Sequence, residues 1–272
     1  MQRAPFSFRC FSVAPLLALL MACCATSAQA DGFAAYISPP RFEIQAVAGQ
    51  TLREVVEIQH VGREKGNYRI YTNDWVFNPD NSVTFSDALA PDSCRPWVAI
   101  ERRELAIEPG ARYRYRFEIT PPPDTPPREC RFAIMVEGLE TAKVAGQLNF
   151  PVGGRIGVIV YATLGSAAPR LELAATRVTA VNGQTTAVID IRNTGNAHGR
   201  IEGFVNGTDA SGQDFELAPA DLPIMPGETR SLSLSPVVTE GQTAPTVRFP
   251  LRVKGALEWG KNRLPLDTSF TP

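Results

Sequence analysis

Residues 147–163, QLNFPVGGRIGVIVYAT, carry the pattern on which the fold depends. Leu148, Phe150 and Val152 alternate with polar or small residues, which is the period of a half-buried β-strand. Pro151 cannot donate a backbone hydrogen bond, so this half of the segment is predicted to lie at a sheet edge. After two glycines the segment becomes almost continuously apolar, which suits the core of a β-sandwich. The alternating face has two interpretations: it packs inside its own domain, or it remains an open apolar edge, which proteins usually suppress.

Short apolar runs separated by turn residues continue on both sides of this segment. Glu108-Pro109-Gly110 before an alternating run is a turn leading into a strand, and Asn182-Gly183 and Asn206-Gly207 are further turn signals. Strands at this spacing, without a long helical period, indicate antiparallel sandwiches. A break of small residues at Gly165–Pro169 marks a domain boundary. We therefore predict an all-β protein with two immunoglobulin-like β-sandwich domains in tandem, residues 31–165 and 166–272.

The first thirty residues have the pattern of a signal peptide. Arg3 and Arg9 form a positive region, residues 11–25 are apolar, and an A-x-A cleavage site ends at Ala30. The chain is therefore predicted to be exported and cleaved after Ala30. Lipoprotein processing at Cys23 is the less favoured alternative, because the preceding residues only loosely resemble a lipobox.

Two cysteines, Cys94 and Cys130, remain after that cleavage. Exported proteins fold in an oxidising compartment, so the simplest expectation is one disulfide between them. There is no C-x-x-C motif to lower the pKa of a thiol, so the predicted disulfide is structural and not redox-active.

The composition argues against several classes of function. The formal net charge of −1 gives no basic field for nucleic acid. Only His60 and His198 are present, neither in a metal-spaced cluster, and no nucleophile or phosphate-binding motif occurs. We therefore predict a protein that binds and is not an enzyme, with no metal, cofactor or small-molecule substrate.

Taken in order, the strands of residues 37–163 resemble the periplasmic pilus-assembly chaperones of the chaperone–usher pathway. The resemblance extends to the second domain only in its architecture and place. The matching features follow in the family's order: Ser38-Pro39-Pro40-Arg41-Phe42-Glu43-Ile44, Gly49-Gln50-Thr51 with Leu52–Gln59, Tyr68-Arg69-Ile70, Trp75, Trp97, Glu108-Pro109-Gly110, Tyr113–Ile119, Cys130-Arg131-Phe132-Ala133-Ile134 and the segment quoted above.

This resemblance implies a cleft between two sandwiches that holds the C-terminal carboxylate of a pilus subunit. Arg41 matches the basic anchor of the family's first strand. The family's last strand carries a lysine where this chain has Gly157, and Arg155 lies two residues earlier. Because residues two apart in a strand share a face, Arg155 is the candidate for the second anchor.

The resemblance also implies that Leu148, Phe150 and Val152 are donor-strand residues, which fill an open groove of the subunit. The predicted function is that of a periplasmic chaperone that binds pilus or surface-fibre subunits and delivers them to an outer-membrane usher.

Two other functions stay open on the sequence. The first is an envelope or adhesion scaffold of tandem immunoglobulin-like domains, in which the alternating face of residues 148–152 lies in its own core. The second is a glycan-binding accessory module that uses Trp75, Trp97 or Trp259, although core positions explain these tryptophans more simply.

Overall fold

The computed structural model describes residues 33–91, 93–139, 153–239, 241 and 245–272. Over these residues the protein is all-β, as predicted, apart from a 3-10 turn at Arg95–Trp97. The strands are β1 (Ala35–Ser38), β2 (Arg41–Ala46), β3 (Leu52–His60), β4 (Gly66–Phe77), β5 (Val83–Ser86), β6 (Val98–Ile100), β7 (Glu104–Ile107), β8 (Arg112–Ile119), β9 (Glu129–Gly138), β10 (Arg155–Leu164), β11 (Leu171–Val181), β12 (Gln184–Asn193), β13 (Val205–Thr208), β14 (Asp214–Pro219), β15 (Thr229–Pro236), β16 (Leu251–Trp259) and β17 (Asn262–Phe270).

Strands β1–β10 form two packed sheets. One has the order β1-β3-β8-β6, and the other has the order β2-β10-β9-β4-β5 with β7 also paired to β4. The chain changes sheets at Pro39–Pro40, because β1 pairs antiparallel with β3 whereas β2 pairs in parallel with β10. Alternating side chains from both sheets, such as Ile58, Phe117 and Phe132, are fully or almost fully buried between them.

A disulfide joins Cys94 to Cys130, as predicted. Their Cα atoms are 5.8 Å apart, and both residues are buried in the core between the two sheets. The bond ties the 3-10 turn to β9, so it lies in the structural core of the sandwich.

Strands β11–β17 form a seven-stranded sheet with the order β11-β12-β15-β14-β13-β16-β17 and a separate apolar core. The turn predicted at Asn182-Gly183 is present, with positive φ at both residues. The turn predicted at Asn206-Gly207 is wrong, because both residues lie in β13 between β14 and β16. A Cβ on Gly207 would lie 2.7 Å from Leu217 Cδ1, so glycine is needed there for close packing.

The two halves of the chain meet through the outer face of the β2-β10-β9-β4-β5 sheet. A third apolar cluster contains Trp75, Met135 and Tyr161 from that sheet and Met225 from the second half. The predicted boundary after residue 165 falls between β10, which ends at Leu164, and β11. The candidate site lies beside this cluster.

Candidate functional site

The first feature of the site is a free stretch of sheet edge on β10. β2 pairs with β10 from Ile159 onward, whereas β9 covers the opposite edge from Arg155 onward. Over Arg155–Val158, no strand of the described chain lies on the β2 side. The Ile159 N–H donates to Pro40 O at 3.2 Å, so the backbone groups of Gly157, two residues earlier, point toward the same edge. Another strand can therefore be added in line with β2.

Arg41 stands where this free edge ends. It is the first residue of β2, and its register partner on β10 is Ile159. Its side chain is 39% exposed, and its Nε lies 2.8 Å from Glu43 Oε1. Arg41 is thus an accessible cation, already paired with a carboxylate of its own chain.

The Glu43 carboxylate also faces the second half of the protein. Its Oε1 lies 3.7 Å from His198 Nε2 and 3.7 Å from Arg200 Nε, which are ion-pair distances and longer than hydrogen bonds. The interaction with His198 is the largest cause of a lowered pKa for Glu43; burial opposes it, and the charges of Arg41 and Arg200 add to it. Glu43 is therefore ionised at neutral pH.

His198 is bound between two carboxylates at the junction. Its Nδ1 lies 2.5 Å from Glu129 Oε2, which also accepts the His198 backbone N–H at 3.0 Å. Burial alone would lower the pKa of His198, but the hydrogen bonds and charges of Glu129 and Glu43 outweigh it, so this pKa is raised. Both carboxylates therefore favour the protonated form of His198, and their contacts with it join the two halves of the chain.

The ring of Tyr161 packs against the imidazole of His198. The two rings are stacked with centroids 3.6 Å apart and an interplanar angle of 19°. Tyr161 also makes an edge contact with Trp75 at 5.4 Å, and burial raises its pKa to about 12. The phenol of Tyr161 is thus neutral and fully packed between the two domains.

Arg200 is, after His198, the second cationic side chain that the second half of the chain brings to the junction. Its side chain is only 11% exposed, and its Nη1 donates to the backbone oxygen and to Oδ1 of Asp221. Its Nε is buried and makes no hydrogen bond to any described residue. A buried N–H without an acceptor is unfavourable.

Arg155, the second predicted anchor, lies elsewhere. It is exposed at the start of β10 opposite Glu137, and it contributes to a lowered pKa of Glu137 that comes mainly from a hydrogen bond with Arg69. Four residues of strand separate Arg155 from Ile159, the partner of Arg41, which corresponds to about 13 Å. The structure does not bring Arg41 and Arg155 together.

Gly157 lies beneath the ring of Phe85. A Cβ on Gly157 would be 2.5 Å from Phe85 Cζ and 3.2 Å from Met135 Sδ. A side chain at residue 157 therefore requires the Phe85 ring to move. The predicted donor residues Leu148, Phe150 and Val152 lie outside the described residues.

Sequence reasoning did not find the roles of Glu43, Glu129, His198 and Arg200. One signal was available for Glu43, because it shares a strand face with Arg41 by the period of two. The other three are brought together by the packing of the two halves, and His198 lies 69 residues from its partner Glu129. Local pattern carries no information on contacts of that range.

Within the described ranges, no group of three or more His, Cys, Asp or Glu side chains is placed to hold a metal ion. No helix of that part of the chain is long and apolar enough to cross a membrane.

No protein-family model matches the chain, and no curated protein matches it in sequence. Among solved structures, the chain is similar to the class 5 fimbriae chaperone CfaA, at 15% identity and a TM-score of 0.46, over 88% of this chain and 99% of that one. The E. coli chaperone DraB is 12% identical with a TM-score of 0.44, over 87% of this chain and 99% of that one. A chaperone–tip adhesion subunit complex, CsuC–CsuE of Acinetobacter baumannii, gives 14% identity and a TM-score of 0.44, over 88% and 99%. Similarity at this level does not transfer the partners of these proteins to this chain.

Proposed function

We propose that this protein is a periplasmic chaperone that binds a pilus or surface-fibre subunit along β10 and delivers it to an outer-membrane usher. The observation that carries the proposal is the edge of β10 over Arg155–Val158, which no described strand covers on the β2 side and which ends at the exposed cation Arg41. Strand addition to such an edge is a common way of binding an extended segment.

The direction of the strands supports a client that ends in a free carboxylate. β2 occupies the β10 edge from Ile159 onward and runs parallel to it. A client strand that is parallel to β10 and in line with β2 must end where β2 begins, because the two share one edge. Its C-terminal carboxylate then arrives at Arg41, and a guanidinium binds a carboxylate through two parallel hydrogen bonds.

Several parts of this proposal come from the sequence alone. Leu148, Phe150 and Val152, which precede β10, are proposed to fill the groove of the client. Export to the periplasm with cleavage after Ala30, and the usher as a second partner, are likewise proposals. Arg155 remains a proposed contact to the client strand, at the far end of the free edge from Arg41.

One observation favours the second candidate, an envelope scaffold of two rigidly joined domains. Arg41 is already paired with Glu43, and the same carboxylate faces His198 and Arg200 of the other domain. In that role the cluster only fixes the angle between the domains, and Arg41 binds nothing else.

Affinity purification from the periplasm separates these two functions. We expect a fibre subunit to co-purify in stoichiometric amount with the wild-type protein, and Arg41→Ala to reduce its capture at least about tenfold, because charge-assisted hydrogen bonds are lost. Arg53→Ala is the matched control, since Arg53 also forms an exposed pair with a glutamate, Glu118, at 2.7 Å. Full capture by a folded Arg41→Ala protein would remove Arg41 from the site. Absence of any subunit with the wild type would favour the scaffold.

A further inference from the structure

One carboxylate oxygen at the domain junction faces three cationic groups. Glu43 Oε1 lies 2.8 Å from Arg41 Nε, and 3.7 Å from both Arg200 Nε and His198 Nε2. Arg41 belongs to the first domain, whereas Arg200 and His198 belong to the second. The cluster is therefore a carboxylate-binding site that both domains complete, and a residue of the protein itself occupies it.

The geometry of Arg200 shows that Glu43 leaves one hydrogen-bond donor of this site unsatisfied. Arg200 Nη1 is held by Asp221, which fixes the guanidinium in place. Its Nε is buried and has no hydrogen-bond acceptor among the described residues, and Glu43 Oε1 lies 3.7 Å from it. A carboxylate placed slightly closer would accept from Nε of Arg200 and from Arg41 together.

Glu43 is able to leave this position. Its side chain is 46% exposed, whereas that of Arg200 is 11% exposed. Glu43, Glu129 and Asp221 face these three cationic groups, and Arg131 Nε also lies 3.9 Å from Glu129 Oε1. A further carboxylate between Arg41 and Arg200 would repel Glu43 as a like charge, and turning Glu43 out to solvent relieves this repulsion.

We infer that Glu43 is an internal placeholder, and that the C-terminal carboxylate of the client replaces it between Arg41 and Arg200. This inference rests on the proposed function and deepens it. Arg200 of the second domain, and not Arg155, is then the second anchor. In this position Glu43 prevents other anions from binding to Arg41 and Arg200, so a client must compete with Glu43 for the site.

Peptide binding tests this exchange. The probe is a fluorescently labelled decapeptide of alternating valine and threonine, prepared with a free C-terminal carboxylate and as the C-terminal amide. We expect Arg200→Gln to weaken binding of the carboxylate form about tenfold, as loss of a charge-assisted bond implies. We expect Glu43→Gln to strengthen it roughly threefold or more, because a competing charge is removed. Neither substitution should change binding of the amide form.

The controls address folding and charge. Glu57→Gln and Arg112→Gln remove the two partners of an exposed pair at 3.2 Å in the other sheet and should leave binding unchanged. Thermal melting shows whether each junction variant is folded. If Arg200→Gln does not fold, Arg200→Lys keeps the positive charge but loses the Nε donor, and it should still weaken binding of the carboxylate form.

The possible outcomes separate the two levels of the proposal. Equal binding of carboxylate and amide forms by the wild type, or binding of neither, would reject the proposed function with its anchor at Arg41. A wild-type preference for the carboxylate that Arg200→Gln leaves intact would reject only the role of Arg200. Weaker binding in Glu43→Gln would reject the placeholder, since Glu43 would then be needed to position Arg41.

Discussion

The two ends of β10 lie in opposite surroundings. At its start, Arg155 is exposed beside Glu137 and Arg69, and no described strand covers that edge. Near its end, Tyr161 is buried under His198, between β2 and β9. Charges at the first end are solvated, whereas those at the second end are held at the contact between two domains.

This difference indicates where along β10 an arginine can bind the carboxylate of a client. An exposed ion pair contributes little, because water and salt screen it. A buried guanidinium whose Nε has no acceptor among the described residues, such as that of Arg200, gains more from a new carboxylate. The junction end therefore has the chemistry for binding an anion, and the open end offers backbone groups for a strand.

The largest effect expected from this comparison is at Tyr161. Tyr161→Ala removes a ring that is 2% exposed and stacked on His198, so it should lower the free energy of unfolding by about 3–5 kcal/mol. Tyr36→Ala is the control, because Tyr36 is 63% exposed and its loss should change little. Thermal melting measures both. Equal melting temperatures for the two variants would show that the junction does not contribute to stability.

His198→Gln should have a smaller effect that depends on pH. Because the pKa of His198 is raised in the folded state, its contribution is complete below its unfolded pKa of about 6.5 and is lost as the pH rises through the folded pKa. At low pH the substitution should cost about 1.5–3 kcal/mol through the lost charged hydrogen bond to Glu129.

Melting of wild type and His198→Gln between about pH 5 and about pH 9 tests this sign. The difference between them should shrink as pH rises. A difference that grows with pH would mean that His198 is neutral in the folded protein. Glu43 gives the opposite dependence, because its lowered pKa stabilises the fold above about pH 4.5 and less below it.

Gly157→Lys tests the open end by inserting the residue type of the chaperone family. Its Cβ would lie 2.5 Å from Phe85 Cζ, so the substitution should destabilise the fold by about 1–3 kcal/mol through overpacking. Phe85 is only partly buried, which favours the lower part of that range. Gly153→Lys is the matched control, since no atom of the described residues, its chain neighbours apart, lies within 4 Å of its Cβ position. Equal urea midpoints for the two variants would contradict the proposed contact with Phe85.

Arg155→Ala should have the smallest effect. Its side chain is exposed, so the free energy of unfolding should change by no more than about 0.5 kcal/mol. Capture of the carboxylate peptide should stay near the wild-type level, because Arg155 lies far along the strand from Arg41. A tenfold loss of capture with unchanged melting would instead restore Arg155 as an anchor.

Much of the fold could be predicted from the sequence, because strand alternation and turn residues act locally. The disulfide follows from the predicted export and from the two cysteines that remain after cleavage, and the position of Arg41 on a strand follows from the family resemblance. The turn at Asn206-Gly207 was predicted wrongly, since the dipeptide is a turn signal and only packing against Leu217 explains glycine within β13.

The charged junction could not be predicted in the same way. Glu43, Glu129 and His198 are far apart in the chain, and each resembles an ordinary surface residue in its local context. Their pairing depends on how two domains pack, which is a property of the whole fold. Arg200 lies before β13 and reaches the junction from a loop.

The change of sheet at Pro39–Pro40 limits the length of a client segment that can pair with β10. Where the chain crosses from β1 to β2 determines where β2 begins, and therefore where the free edge of β10 stops. Under the proposed function, the position of that crossing sets how many client residues can pair with β10 before the carboxylate meets Arg41. Moving the crossing by two residues would keep every side chain on its face and shift the register of the client by one repeat of the pleat.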